Sequence, residues 1–115
     1  MREAIRDKSR LEHILRAIDI ILKNKDRFTL DTVSGDPITY YGFVKHIEII
    51  GEAVYMLTRE FKEAHPEVEW EVIEGMRHVL VHGYYRIKPV QVWDTIQHDL
   101  PALRSRIQKL YDSFD

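Results

Sequence analysis

Leu11, Ile14, Leu15, Ile18, Ile21 and Leu22 recur at steps of three and four, which gives the chain from about Glu3 to Lys25 one apolar side at the period of an α-helix. From Phe28 to Asp36 that period is lost, and the segment reads as a loop. Asp36-Pro37 then offers a helix N-cap followed by a proline at the first helical position. Ile38, Tyr41, Val44, Ile47, Ile50, Val54, Leu57 and Phe61 carry a second helix from there. Gly42 and Gly51 lie inside it, each at a cost of about 1 kcal/mol of helix propensity relative to alanine. Close packing against another helix is a reason to keep them.

His65-Pro66 ends that helix, and a third begins near Glu69 or Trp70 with Trp70, Ile73, Met76, Val79 and Leu80 facing inward. Gly83 is expected to close it in a left-handed turn. The last helix starts near Pro89 and holds the cleanest stripe: Trp93, Ile96, Leu100, Leu103, Ile107, Leu110 and Phe114. Pro101 falls within that stripe, removes one backbone hydrogen bond and crowds the preceding turn, so the helix should bend there without stopping. No stretch alternates polar and apolar residues long enough to make a strand. The pattern predicts an all-α protein, an antiparallel four-helix bundle with room for a short extra helix, as a single domain over residues 1–115.

Composition adds limits. No apolar run approaches the roughly 18 residues of a membrane span, and Met1 to Asp7 lacks the apolar core of a signal peptide, so the expectation is a cytoplasmic protein with no membrane partner. With no cysteine in the chain, disulfides and thiolate chemistry are excluded. The net charge of −2 hides two unlike segments: Glu48 to Met76 has eight acidic and two basic residues, whereas Arg77 to Lys109 has six basic and two acidic.

The basic segment opens with Arg77-His78-Val79-Leu80-Val81-His82-Gly83-Tyr84-Tyr85, which sets five polar heads at one helix end. His78 and His82 share a face, but no Glu stands beside them in a His-Glu-x-x-His zinc arrangement, and no metal is expected. On an ideal helix, Arg77 and His82 point about 140° apart, too wide to aim both at one atom from a single chain. A second subunit on a two-fold axis beside the helix end would bring two such clusters together. Each member also has a structural use: Arg77 can pair with Glu71 or Glu74, the histidines can complement the helix C-terminus, and the tyrosines can roof the core. Trp70 and Trp93 read as core anchors.

Arg77-x4-His82-Gly83-Tyr84 resembles the Arg-x4-His-x-Tyr motif of the HepT-like toxins, all-helical members of the HEPN ribonuclease superfamily. The similarity extends through Asp7 to Ala17, Ile49-Ile50-Gly51-Glu52-Ala53, Pro66 to Trp70, Gly75-Met76-Arg77, Val92-Trp93 and Asp99-Leu100-Pro101. Two positions depart from it: His78 stands where Asn is common, and Lys88 where an Asp often caps the last helix. The resemblance implies an HEPN-like bundle and an endoribonuclease toxin of a type VII toxin–antitoxin system, acting on RNA as a homodimer without a metal or other cofactor. It implies Arg77 and His82 as catalytic residues, with His78 in support. It further implies neutralisation by an MntA-type nucleotidyltransferase antitoxin that uses ATP and Mg to place AMP on Tyr84, with Tyr85 as the alternative acceptor. The other function open to the same residues is a non-catalytic helical module that binds nucleotides or a nucleotidyltransferase.

Overall fold

A computed structural model describes residues 2–114, with the side chains of residues 2–5 and 84 outside the description. Among the described residues there is no strand, and the chain is all-α. The helices are α1 (Arg2–Asn24), α2 (Leu30–Gly35), α3 (Pro37–Met56), α4 (Arg59–Ala64), α5 (Trp70–His82), α6 (Pro89–Asp94) and α7 (Leu100–Asp112), with 3-10 turns at Lys25–Arg27 and Tyr84–Arg86 and a π turn at Thr95–Asp99. Helix α1 packs against both α3 and α7, and α3 packs against α5. No helix among the described residues is long and apolar enough to cross a membrane.

The stripes expected from the sequence form most of the core, but Ile38 and Tyr41 on α3 and Val79 on α5, expected to face inward, are exposed, and Tyr40 and Phe43 are buried at the start of α3 instead. Leu11, Ile14, Ile18 and Ile21 of α1 are almost wholly buried, together with Val33, Ile50, Val54, Ile96 and Ile107. Trp70 is buried, and its indole N–H donates to the His65 carbonyl at 2.9 Å. Trp93 is partly buried and meets Phe43 edge to face, while Phe28 meets Phe43 from another side.

Several boundaries depart from the sequence reading. The expected loop from Phe28 to Asp36 contains α2, because Thr29 and Thr32 cap one another: each side-chain oxygen accepts from the other's backbone N–H, at 2.8 and 3.2 Å. Buried Val33 anchors this short helix to the core. The second helix does not run on to Phe61. It stops at Met56, and Leu57 and Thr58 are extended before α4 begins. Periodicity misses this break, because Leu57 remains buried and Phe61 still packs inward against Trp70 and Phe114.

The break is held from a distance. Asp7 on α1 is buried and accepts from the Thr58 N–H at 2.8 Å and the Thr58 hydroxyl at 2.7 Å, while the same hydroxyl accepts the Phe61 N–H that opens α4. One carboxylate therefore ties the start of α1 to the α3–α4 corner. At the start of α3, Asp36 is the N-cap expected. Its carboxylate accepts from the Thr39 hydroxyl and the Ile38 N–H, and the Thr39 hydrogen bond is the main cause holding its pKa below the ordinary value.

Gly83 does follow α5, but not in the left-handed conformation expected of it: φ is −135° and ψ 31°, and its N–H returns to the Val79 carbonyl at 2.7 Å. The chain then tightens into the 3-10 turn, with no need for positive φ. Pro89 starts α6 as predicted. Lys88 cannot cap it with its own side chain, and Gln91 supplies the acceptor by taking the Lys88 N–H at 3.0 Å. Pro101 is absorbed by the π turn just before it. There the Leu100 N–H reaches back five residues to Thr95, so the helical path widens where the proline ring would otherwise crowd the preceding turn.

Asp7→Ala should destabilise the fold by about 2–3 kcal/mol, since two hydrogen bonds to a buried carboxylate disappear and the Thr58 N–H is left without its acceptor. Urea melts followed by helical circular dichroism would measure this. Asp26→Ala removes an exposed carboxylate paired with Lys25 and should change stability by no more than about 0.5 kcal/mol.

Candidate active site

Leu80 buries the inner face of α5, and Ile73 and Met76 pack against the same core. That fixes the rotation of the helix and decides where its polar residues go. Arg77 lies on the edge facing α3, whereas His78 and His82 are exposed and lie one turn apart.

At Gly51 the α3 backbone lies directly against Arg77 of α5. A Cβ built on Gly51 would lie 2.3 Å from the Arg77 Cβ and 3.0 Å from its Cγ, so no larger residue fits without moving the two helices apart. Close packing therefore explains Gly51. It does not explain Gly42, where an added Cβ meets nothing within 4 Å.

The next residue, Glu52, forms an ion pair with the Arg77 guanidinium, Nη2 to Oε2 at 2.6 Å. This pairing replaces the Glu71 and Glu74 alternatives, and Glu74 instead faces Lys62 at 3.5 Å. Both side chains of the Arg77–Glu52 pair keep contact with solvent, at 28% and 52% exposure, so the pair contributes at most about 1 kcal/mol to stability. Its main consequence is orientation. Tyr55, one turn further along α3, places its ring centroid 5.7 Å from the guanidinium carbon, within cation–π range. Arg77 is thus held by backbone proximity, a carboxylate and a ring, with guanidinium donors to spare.

The cleft beside Arg77 has a volume of about 310 Å³, at the small end of ligand sites. Arg10 and His13 from α1, Lys45, Glu48 and Glu52 from α3, and Arg77 from α5 supply its polar lining, over apolar Ile49, Ala53, Met56 and Val81. Among the described residues no three histidines or carboxylates are gathered as they would be around a metal ion.

The histidines sit beside this cleft and outside its lining. Their ring centroids are 4.7 Å apart with the planes tilted by 50°. Because α5 remains helical through His82, the wide angle between Arg77 and His82 persists, and no hydrogen bond or ion pair joins the two. The chain brings His78 to His82 and Arg77 to Glu52, but leaves the two pairs separate. The Tyr84 side chain lies outside the described residues. Tyr85 is 69% exposed, with the Arg86 guanidinium 5.4 Å from its ring centroid. Sequence reasoning missed Glu52 as the partner of Arg77, and Arg10, His13 and Lys45 as neighbours. The one available signal was Gly51, a helix-weakening residue directly before a carboxylate.

The family model described as Ribonuclease HepT-like matches residues 14–110. A protein named "Putative RNase" from Caldanaerobacter subterraneus subsp. tengcongensis is 35% identical over 100 residues, covering 87% of this chain and 89% of the relative. "Probable ribonuclease HepT" from Thermococcus cleftensis is 32% identical over 103 residues, covering 90% and 94%. "Gamma-glutamylcyclotransferase and putative RNase" from Methanocaldococcus jannaschii is 30% identical over 109 residues, which take in 91% of this chain and 47% of that relative. No solved structure matches the chain.

The two helical glycines should respond to alanine in opposite directions. Gly51→Ala pushes a methyl into Arg77 and should cost about 1–3 kcal/mol, whereas Gly42→Ala meets open space and should gain up to about 1 kcal/mol of helix propensity. Thermal melts of the two variants side by side would check the contrast.

Proposed function

Because this chain belongs to the ribonuclease HepT-like family, we propose that it is a metal-independent endoribonuclease toxin whose site is completed by a second copy of the chain. The observation that carries this reading is the arginine held at the cleft with exposed histidines beside it: Arg77 is oriented by Gly51, Glu52 and Tyr55, and His82 stands at the end of the same helix.

In the proposed reaction the ribose 2′-oxygen attacks the adjacent phosphorus and the 5′-oxygen of the next nucleotide departs. His82 takes the 2′-hydroxyl proton or delivers one to the leaving oxygen, a role suited to an imidazole near neutral pH. Arg77 binds the phosphoryl oxygens as negative charge builds on them, through the planar fork that carries its donors. The products are a 2′,3′-cyclic phosphate and a 5′-hydroxyl, and the need for a 2′-hydroxyl selects RNA over DNA. His78, against the His82 ring, supports its position.

Two features favour a homodimer. Arg77 and His82 diverge within one chain, so a two-fold axis along this face would let residues of two chains meet over one phosphate. The chain also has a surface of 7479 Å², against about 6,600 Å² for a compact monomer of its mass. Ile49, Tyr55, Met56 and Val81 add exposed apolar area on the same side. In this reading residues 1–115 form one HEPN-like domain, in which α1, α3, α5 and the α6–α7 rod make an antiparallel four-helix bundle.

Regulation follows from the same site. A nucleotidyltransferase antitoxin of the MntA type, using ATP and Mg, transfers AMP to Tyr84, or to Tyr85 in its place. The added phosphodiester and nucleoside stand two residues from His82 and compete for the cationic groups that RNA needs. The toxin itself needs no cofactor, and its setting is cytoplasmic.

Arg77→Ala and His82→Ala should each lower RNA cleavage by about 10²–10⁴-fold while circular dichroism and a scattering mass of two chains remain unchanged; His78→Asn should retain part of the activity. The check is cleavage of a labelled RNA in EDTA. Equal rates for wild type and His82→Ala would remove His82 from the mechanism, and a toxin inert toward RNA would leave the nucleotidyltransferase-binding module as the surviving function.

Incubation with the antitoxin, ATP and magnesium should add AMP chiefly at Tyr84 and abolish cleavage, whereas Tyr84→Phe should still cleave RNA and escape modification. Peptide mass spectrometry that finds neither tyrosine modified would leave inhibition by complex formation.

A further inference from the structure

The cleft holds more positive charge than the proposed chemistry consumes. Arg10 and His13 lie one turn apart on α1 and face it together with Lys45 from α3, across from Arg77. Elsewhere several cations pair with carboxylates: Arg16 meets Glu12, Arg59 meets Glu63, Lys62 meets Glu74 and Arg104 meets Asp19. Arg10, His13 and Lys45 have no such partner among the described residues, although Glu48 lines the same cleft. The Arg10 Nε is in addition buried and without any hydrogen-bond partner. With its Nε unmatched and no carboxylate paired to it, the Arg10 guanidinium is held by no acceptor of the chain among the described residues, which leaves its outer N–H groups available to an anion in the cleft.

We propose that Arg10, His13 and Lys45 form a second phosphate subsite, which holds the phosphate of single-stranded RNA next to the one at Arg77. Three features define the ligand. The unpaired donors select an anion rich in acceptor oxygens, and the guanidinium and ammonium suit phosphate. Continuity of the cleft with Arg77 makes that anion part of the same molecule as the scissile phosphate. The small volume and short cationic lining fit a flexible single strand, whereas a duplex would need a longer basic stripe. Carboxylates of Glu48 and Glu52 on the same wall keep the cleft from holding nucleic acid indiscriminately, so binding depends on register along the strand. The subsite rests on the ribonuclease reading and extends it: Arg77 meets the reacting phosphate, and the α1 pair with Lys45 fixes which nucleotide stands beside it.

The test uses the full chain and a fluorescent single-stranded RNA with 2′-O-methyl groups throughout, which binds but offers no nucleophile. Anisotropy titrations over a range of salt compare wild type, Lys45→Gln and the double variant Arg10→Gln/Lys45→Gln. The double variant should bind at least about 10-fold more weakly, and its log–log salt dependence should be shallower by about 0.7 for each phosphate it no longer neutralises. With cleavable RNA its KM should rise while kcat stays within about twofold, as expected when binding weakens equally in the ground and transition states. Arg10→Lys keeps the charge and should keep the salt slope. Lys45 is exposed, so Lys45→Gln alone carries the comparison if the double variant loses helical circular dichroism. Unchanged affinity and slope in variants of an active wild type would overturn the subsite and leave the ribonuclease reading standing. Conversely, the expected weakening of binding in a protein that cleaves no 2′-hydroxyl RNA would uphold the subsite and sink the ribonuclease reading. Wild type that fails to bind the RNA at all would overturn the subsite outright.

Discussion

Arg77 crosses α3 at the one point where Gly51 leaves no side chain in its way, and the geometry of the cleft follows from that crossing. With any Cβ at position 51 the two helices would have to separate, and the guanidinium would move away from Glu52 and Tyr55 together. The glycine weakens α3 as an isolated helix, by about 1 kcal/mol relative to alanine. The fold accepts that cost because the alternative is a steric overlap with the Arg77 stem. A helix defect and a site-forming crossing are here the same residue.

Charge is organised across helices more than along the chain. The acidic segment of the sequence supplies Glu48 and Glu52, and the basic segment supplies Arg77, so two opposed runs meet on facing walls of one cleft. Arg10 and Lys45 come from neither run, yet they tip the lining toward positive charge. A cleft of this kind holds an anion by matched donors at fixed places, with little of the long-range attraction that a uniformly basic surface exerts. That arrangement agrees with the proposed role, in which one phosphodiester bond is positioned and a nucleic acid is not coated.

Two tertiary devices set the frame around the cleft. Buried Asp7 holds the corner between α3 and α4 through Thr58, which fixes where α3 ends and brings the Arg10 and His13 turn of α1 alongside it. On the far side, the π turn before Pro101 lets the last helix run on against α1 despite the missing N–H. Both devices exchange regular local structure for a helix placement that local energetics alone would not select.

The amino-acid order was sufficient to define four long helical stripes, the Asp36-Pro37 start of α3, the Pro89 start of the last helix and the concentration of polar heads from Arg77 to Tyr85, because each is written in spacing of three and four or in the capping chemistry of adjacent residues. The short helix α2 was also local in origin, but its reciprocal threonine cap lacks the usual acidic partner and so carries no ordinary start signal. The break at Leu57-Thr58, the pairing of Arg77 with Glu52 in place of Glu71 or Glu74, and the arrival of Arg10, His13 and Lys45 at the cleft were decided only in three dimensions. Helical periodicity states which face of a helix is buried. It is silent on which other helix lies against that face and at what height, and those are set by side-chain volume at the crossing, where a single missing methyl at Gly51 determines which residues meet.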